Sequence, residues 1–484
     1  MTGQGGLALL GLLGALGGCA VGPDYRPPTP LAGATAPWRS ASPSAESGAA
    51  PLADWWRLYN DPRLDALIQE AFGANVDLRG AEANLASARA LLEAARADRY
   101  PSTDVTLSGT YGRDGTTNEI EESLGQKPRS QWLYDDVFDM AYEVDLFGRV
   151  RRSIEASKAD AGAAQAARDD VRTTVAAETA RAYAQVCTLG EALAVANRSL
   201  TVAERQAEIT DQRNDAGANT LFDVTRAQGL VAQERSVIPP LEGQRRSALF
   251  QLAALLGRTP ANAPSEVLDC VAPPQIAAVM PVGDGAALIR RRPDLREAER
   301  RLAAATARIG VATADLYPRI SLTGFYGGAA PSIATLQTNA GLIWGVGPSV
   351  SWSFPNQAGP RARVRLAKAN AAAALAGFDS AVLQALKETE QALATYRAEI
   401  EHRAALADAD VKARQAFELA RDELSAGSVS PLDVLVAEQT LTAADTAVAA
   451  SDSALVQDQI ALFKALGGGW EDAPAIVGRP VSGQ

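Results

Sequence analysis

The sequence contains two related halves, and this duplication limits the folds open to the chain. The segment "DLRGAEANLASARA" from Asp77 matches "DLREAERRLAAATA" from Asp294, an offset of 217 residues (294 − 77). Farther along the offset becomes 210 (368 − 158), and it holds for Lys158/Lys368, Asp169/Asp379, Glu178/Glu388, Ala216–Gly217/Ala426–Gly427 and Leu256–Gly257/Leu466–Gly467. A period this long excludes a solenoid, whose stacked repeats span about 20–50 residues. The chain is therefore two copies of one large unit.

Each half changes from a helix pattern to a strand pattern at a Tyr–Pro pair. The change falls at Tyr100–Pro101 in "AARADRYPSTDVTLSGTYG" and at Tyr317–Pro318 in "ATADLYPRISLTGFYGG". Proline cannot continue a helix, and it biases the preceding residue to an extended conformation. We therefore expect a helix from about Pro62 to Asp98 and a strand directly after each Tyr–Pro pair.

Four strands are predicted, two in each half, with one apolar and one polar face. In the first strand Val105, Leu107 and Tyr111 alternate with polar residues, and the other strands, near residues 136–147, 319–328 and 342–354, alternate in the same way. The aromatic residues near predicted strand ends are Tyr111, Trp132, Tyr134, Trp344 and Trp352. This alternation and these aromatics are typical of a membrane β-barrel. A soluble sheet is the alternative, but two separated strand pairs joined by very long helices suit it poorly.

Long helices follow each strand pair. The segment from Arg151 to Gly217 contains no proline, and at 1.5 Å per residue its helix would be about 100 Å long. A second helix returns along the chain with an expected interruption at Pro239–Pro240, and the second half repeats the pair at 361–427 and 431–466. Helices with such sparse large apolar residues need partner helices, as in coiled coils.

Four strands cannot close a barrel, and open sheet edges are not tolerated in lipid. Three chains would supply twelve strands, an even number compatible with a closed barrel. The residues thus predict a mixed α and β membrane protein: a trimeric 12-stranded outer-membrane β-barrel with four strands per chain, from which long helices extend.

Composition argues against several other functions. The formal net charge of −11 is opposite to that of a nucleic-acid groove. His402 is the single histidine, and the sequence lacks a cluster of His, Cys and carboxylates at ligand spacing, so no metal site is predicted. Neither GxxxxGK[ST] nor GxSxG occurs. We expect neither an enzyme nor a bound cofactor.

The leader, residues 1–18, has an apolar run from Leu7 to Leu16 followed by "LGGC". The run is too short to span a bilayer and indicates a signal peptide. "LGGC" resembles the bacterial lipobox, which implies cleavage before Cys19 and acylation of Cys19. Residues 2–6 contain no Lys or Arg, so an ordinary signal peptide or a misassigned start codon is the alternative. Ala20 follows Cys19 where aspartate would retain a lipoprotein in the inner membrane, which implies the outer membrane.

Several segments together resemble a known family. They are "GCAVGPDYRPP", "WWRLYNDPRLDALI", "YEVDLFGRVRRSIEAS", "RRRPDLREAERRLAAATARIGVATADLYPRISLTG" and the paired "AG…DV" turns. These are similar to the TolC-like outer-membrane factors, in particular the OprM-like, NodT-type efflux lipoproteins. The resemblance implies a homotrimer whose 12-stranded barrel is continued by a long periplasmic α-helical barrel. The trimer would dock on a periplasmic adaptor protein and a proton-driven inner-membrane pump of the RND type. It would be a passive gated conduit that exports drugs or other small molecules. A type I protein-secretion duct, a heavy-metal efflux duct and a structural coiled-coil lipoprotein are the alternatives.

The resemblance also implies roles for the turns between the long helices. Gly217 and Gly427 would form tight adaptor-docking turns at the periplasmic mouth. Asp215, Asp422 and Glu423 are the candidates for carboxylate rings that restrict the closed pore, and a place on the solvated outer face is the alternative for each.

Two cysteines remain after Cys19, an even number in an oxidising compartment. Cys187 lies near the middle of a long helix, and Cys270 lies in the proline-rich connector between the repeats. In the family this connector packs around the middle of the helical tunnel, which implies a Cys187–Cys270 disulfide. Two separate buried thiols are the alternative.

These expectations divide the chain into six segments. They are a signal peptide (1–18), an extended N-terminal arm (19–60), repeat 1 (61–257), a connector (258–284), repeat 2 (285–467) and a C-terminal tail (468–484).

Overall fold

The structure is a computed structural model that describes residues 20–40, 45–46, 53–113, 119, 122–125, 127, 129–276, 280–471 and 473. Cys19, the leader and most of the C-terminal tail lie outside the described residues. The first half contains strand β1 (Ala45–Glu46), helices α1 (Pro62–Ala74) and α2 (Val76–Ala97), strands β2 (Ser102–Gly112) and β3 (Gln131–Val144), and helices α3 (Arg149–Asp215) and α4 (Leu221–Leu255). The second half contains β4 (Met280–Pro281), α5 (Gly285–Arg291), α6 (Pro293–Ala314), β5 (Arg319–Ala330), α7 (Ile333–Leu336), β6 (Leu342–Ser351), α8 (Ala358–Ser425) and α9 (Pro431–Ala465).

The long helices have nearly equal lengths in the two halves. Helices α3 and α8 have 67 and 68 residues, and α4 and α9 have 35 residues each. The prediction of one helix from Pro62 to Asp98 is wrong, because the chain breaks between α1 and α2 at Asn75. The Asn75 side chain accepts a hydrogen bond from the Leu78 N–H (3.0 Å) and donates one to the Leu255 carbonyl (3.0 Å), so it caps α2 and fastens the break to the end of α4.

Helix α4 continues through Pro239 and Pro240, so the expected interruption there is also wrong. Each proline lacks the N–H that would bond to the carbonyl four residues earlier, which belongs to Arg235 or Ser236. Both residues are exposed, and water can therefore bond to the two carbonyls. A long helix loses two bonds here without being broken.

Two compact units can be distinguished in the chain. One comprises residues 1–28, 86–163 and 298–378 and includes a four-stranded antiparallel sheet in the order β2-β3-β5-β6. The other comprises residues 29–85, 164–297 and 379–484, and its core contains Trp55 stacked on Phe463, with ring centroids 4.8 Å apart. The first and last residues of the four long helices lie within a few residues of their predicted positions.

The described part of the N-terminal arm is bound to the rest of the chain. In the first unit Val21 donates a hydrogen bond to the Phe147 carbonyl (3.1 Å) and Tyr25 donates one to Glu299 (2.9 Å). In the second unit β1 pairs in parallel with β4, and a 3₁₀ helix spans Trp55–Tyr59. The arm was predicted without helix or strand, so these two short elements correct that prediction.

Candidate functional site

The register of the sheet places most of its large apolar side chains on one face, where Asp136, opposite Leu107, is an acidic exception. Val105 lies opposite Phe138, and Tyr326 lies opposite both Phe138 and Trp344. Directly opposed residues point to the same side of a sheet, so these four share one face. Leu107 and Trp344 of this face are 76% and 68% exposed. A broad apolar surface is thus left uncovered by the single chain.

Polar and small residues predominate on the other face, which also carries Leu133, Val137, Phe325 and Ile343. Asp104 is paired with Asp139, Ser108 donates a hydrogen bond to Asp135 (3.0 Å), and Ser321 lies opposite Ser349. In the described chain β2 and β6 are the two edges of this sheet, and each is paired on one side. One apolar face, one polar face and two open edges describe a segment of a larger closed sheet.

Aromatic side chains gather at both ends of the strands. At one end Trp132 lies 5.5 Å from Tyr111 and 5.7 Å from Tyr134, measured between ring centroids. At the other end Trp352 stacks on Phe354 at 4.7 Å. These positions match the aromatic girdles expected where strands meet the surfaces of a membrane.

A polar cavity of about 410 Å³ lies at the junction between helix and strand, and Tyr317 and Pro318 are part of its lining. Arg149 at the start of α3 donates two hydrogen bonds to Glu143 of β3 (2.8 and 2.6 Å), a bidentate pair. Tyr317 stacks on Phe147 with centroids 4.6 Å apart, and Trp352 donates to the Leu316 carbonyl (3.1 Å). These contacts hold the change from helix to strand that the sequence predicted.

The turns between the long helices have the same geometry in both halves. Gly217 and Gly427 have φ values of +78° and +76°, and in each turn the next residue donates to the carbonyl five residues back (2.8 and 2.9 Å). This is the Schellman ending of a helix, which favours glycine. Thr220 and Ser430 then form capping boxes with Asp223 and Asp433, which start α4 and α9.

All three pore candidates lie in the last turns of the long helices and are exposed. Asp215 ends α3, whereas Asp422 and Glu423 are neighbours near the end of α8. The repeat counterparts of Asp422 and Glu423 are Gln212 and Arg213, so these two carboxylates are not repeated at the same positions of α3. The end of α3 carries Asp211 and Asp215 instead, so each turn brings two carboxylates.

Cys187 of α3 and Cys270 of the connector have Cα atoms 4.8 Å apart, and their sulfur atoms are bonded. Arg245 of α4 lies beside them and donates to the carbonyls of Val186 (3.1 Å), Leu268 (2.7 Å) and Cys270 (2.6 Å). A Cβ on Gly190 would lie 2.3 Å from the Cys270 carbonyl oxygen. No sequence pattern indicated a role for Arg245, because that role depends on three segments that meet only in the fold.

A polar cavity of about 540 Å³ in the second unit is lined by Asp170, Arg181, Arg292, Asp294, Glu388 and Lys464. Arg292 is buried and donates to Asp294 (3.0 and 2.8 Å), Glu388 (2.9 Å) and the Ala465 carbonyl (2.9 Å). Burial, with the charge of Asp294, raises the pKa of Asp170 to about 6. The segment "RRRPDLR" contains Arg292, but its repeat pattern alone did not reveal this network.

Among the described residues no three His, Cys, Asp or Glu side chains are placed to hold a metal ion. None of the helices described is both long and apolar enough to cross a membrane.

The two-faced sheet and the paired long helices define the class of outer-membrane channels. The chain matches the family model for outer membrane efflux proteins over residues 67–258 and 286–468. It belongs to the outer membrane efflux protein family.

Individual relatives match over almost their whole length. Nodulation protein T of Rhizobium leguminosarum bv. viciae is 30% identical over 467 residues, which cover 96% of this chain and 93% of that protein. Outer membrane protein OprJ of Pseudomonas aeruginosa is 30% identical over 489 residues, covering 98% and 97%. The solved structure of the outer-membrane channel OprN superposes with a TM-score of 0.86 at 35% identity and covers 93% of this chain and 100% of that one.

These matches confirm the predicted family and fold class. They also establish the coarse function and location: the chain is an outer-membrane efflux channel protein. The family is one of channels rather than enzymes.

Proposed function

We propose that three copies of this chain form one closed channel, the outer-membrane part of a tripartite efflux system with a periplasmic adaptor and an inner-membrane RND pump. The observation that carries the proposal is the four-stranded sheet with one apolar face, one polar face and two unpaired edges. Joining β6 of one subunit to β2 of the next satisfies both edges. Three subunits then give twelve strands with lipid outside and water inside.

Export through this channel is passive, with the pump as the source of energy. Gly217 and Gly427 shape the adaptor-docking turns, and Asp422 and Glu423, with Asp215, restrict the closed pore. A threefold ring of carboxylates would attract cations and raise a barrier through mutual repulsion. Small organic compounds, including drugs, are the proposed substrates; two relatives are described as toluene and antibiotic efflux pump outer membrane proteins, both from Pseudomonas putida.

The test is an efflux assay in cells that lack their own channel but retain an adaptor and pump compatible with this protein. Expression of the chain should lower the cellular accumulation of a fluorescent pump substrate. The same chain with tryptophan at both turn glycines (Gly217→Trp and Gly427→Trp) is the control, because it should reach the membrane but fail to dock. Accumulation unchanged by the wild-type protein would contradict the proposal.

Anchoring by lipid at Cys19 is a separate part of the proposal, supported by "LGGC" and by Ala20. The sheet provides far more apolar surface than a few acyl chains. Cys19→Ser should therefore abolish acyl labelling while leaving trimer in the outer membrane. Unmodified Cys19 in purified wild-type protein would refute lipidation.

The Cys187–Cys270 disulfide is proposed for the mature protein, supported by the 4.8 Å Cα separation, which lies in the range for disulfides. The disulfide would link the connector (258–284) to repeat 1 (61–257). Repeat 2 (285–467) is the second copy of the same unit. Mass spectrometry after non-reducing digestion should find the linked peptides, and two freely alkylated thiols would exclude the bond.

A further inference from the structure

A second cavity, of about 470 Å³, lies among helices α3, α4 and α9 in the second unit. Its lining is mostly apolar or small and includes Val195, Ala196, Val237 and Leu241. Sites for small molecules have volumes of about 300–1,000 Å³ and a few polar groups among apolar ones. The cavity therefore has the size and lining of a small-molecule site.

Carboxylates provide the charge at this cavity. Glu234 of α4 is part of the lining, as is Thr442 of α9, which lies one helical turn from Glu438. Glu438 is 4% exposed, and its Oε2 atom has no hydrogen-bond partner among the described residues. Burial and the nearby charge of Glu234 raise the pKa of Glu438 to about 7. Burial also raises the pKa of Glu234.

Two cationic side chains of the surrounding helices form ion pairs with other carboxylates. Arg235 of α4 forms an ion pair with Glu204 of α3 (2.8 Å). Arg414 of α8 forms one with Asp445 of α9 (2.6 Å). On α3 the cavity is lined on this side by the uncharged Ser199. The half-buried Glu234 thus lines an apolar cavity next to the buried Glu438, whose Oε2 atom has no hydrogen-bond partner among the described residues, and a buried carboxylate is costly unless a cation pairs with it.

We propose that this cavity binds a small hydrophobic organic cation, with its apolar body against Val195, Ala196 and Leu241 and its charge beside Glu234 and Glu438. Neither half of the duplication repeats the pair, since the counterparts of Glu234 and Glu438 are Ala444 and Gln228. The site is therefore a feature of this one helix junction. Binding of the cation in this cavity would require neither the pump nor any other partner protein.

Binding of tetraphenylphosphonium to the purified, detergent-solubilised protein tests the proposal by isothermal titration calorimetry. Triphenylphosphine oxide, a neutral molecule with similar rings, is the matched probe and should bind at least tenfold more weakly. Because the cation favours ionised Glu438, affinity should rise by up to about tenfold from pH 6 to pH 8. Equal binding of the two probes, or no binding of the cation, would overturn the proposal.

Variants locate the site. Glu234→Gln should weaken tetraphenylphosphonium binding about tenfold, and Glu438→Gln should remove the pH dependence. Glu242→Gln, on the exposed side of α4, should change neither. Val237→Trp fills the cavity from a partly exposed position and should abolish binding, whereas Val202→Trp, similarly exposed on α3, should not. Full affinity in Val237→Trp would place the bound cation elsewhere and refute the assignment.

Discussion

At the scale of single residues, some positions depend on local geometry and others on the whole fold. The faces of the strand residues assigned from alternation belong to the first kind, because side chains in a strand change sides at each position. Residues 131–135 of β3 lie outside the strand that the pattern predicted near residues 136–147. Arg245, Arg292 and Glu438 could not be predicted in this way. Their roles arise from burial and from carbonyls or carboxylates that belong to distant segments of the chain.

Asp170 predicts a pH dependence of stability. Its folded pKa of about 6 lies above the ordinary value of 3.8 for an aspartate, so the native state binds more protons than the unfolded state between these values. Stability therefore falls as pH rises from about 4 to 6, and the cost is fully present above pH 6. Asp170→Asn should stabilise the protein at pH 7.5 by up to about 3 kcal/mol.

Heat dissociation of the purified trimer, followed on gels, measures this effect. The gain from Asp170→Asn should shrink as pH is lowered toward 4. Asp211→Asn, an exposed change on the same helix, should have little effect at any pH. A gain that is the same at pH 4 and pH 7.5 would mean that ionisation of Asp170 is not the cause.

At the scale of elements, helix ends were predicted well and helix interruptions were not. Gly217 and Gly427 end α3 and α8 through local hydrogen bonds, which the glycine signal reports directly. The break between α1 and α2 depends on the hydrogen bond from Asn75 to the Leu255 carbonyl. Helix α4 continues through Pro239 and Pro240 because it is long and packed on both sides of the prolines. Both are tertiary effects that a local proline or asparagine signal does not contain.

The same substitution should have opposite effects at a glycine inside α8 and at the glycine of the turn that follows it. Gly427→Ala forces alanine into φ +76° and should cost about 1–2 kcal/mol locally. No atom lies within 4 Å of the added Cβ, so the cost comes from the backbone and not from a clash. Gly377→Ala, inside the helix and equally uncrowded, should stabilise by up to about 1 kcal/mol.

Hydrogen exchange followed by mass spectrometry separates the two variants. Gly427→Ala should speed exchange in the last turn of α8 and the first turn of α9, and Gly377→Ala should slow exchange around residue 377. Slower or unchanged exchange at the turn in Gly427→Ala would show that the glycine is not needed for its geometry.

For the whole molecule, the open edges of the sheet matter most. The sequence predicted that one chain could not close a barrel, because four strands leave two edges in lipid. Within one chain β2 and β6 are separated by three strand spacings, about 14 Å, which is too far for a disulfide. Any disulfide between these strands must therefore join two subunits.

Cysteine pairs test this arrangement in the outer membrane. Thr106→Cys, combined in turn with Gly347→Cys, Ser349→Cys or Ser351→Cys, should give oxidised trimers on non-reducing gels for at least one pair on the shared polar face. Thr106→Cys with Thr323→Cys on the interior strand β5 is the control and should give none. Absence of cross-links in all three edge pairs would contradict edge-to-edge assembly.

The central claim is that three chains form one gated conduit across the membrane, and recording from the purified protein in planar lipid bilayers tests it most directly. Stepwise ion currents are expected from the wild-type trimer. The variant Asp422→Asn/Glu423→Gln should show larger conductance or weaker block by cations, because the ring of carboxylates is neutralised. Bilayers with verified insertion of both trimers and no current steps from either would contradict the claim.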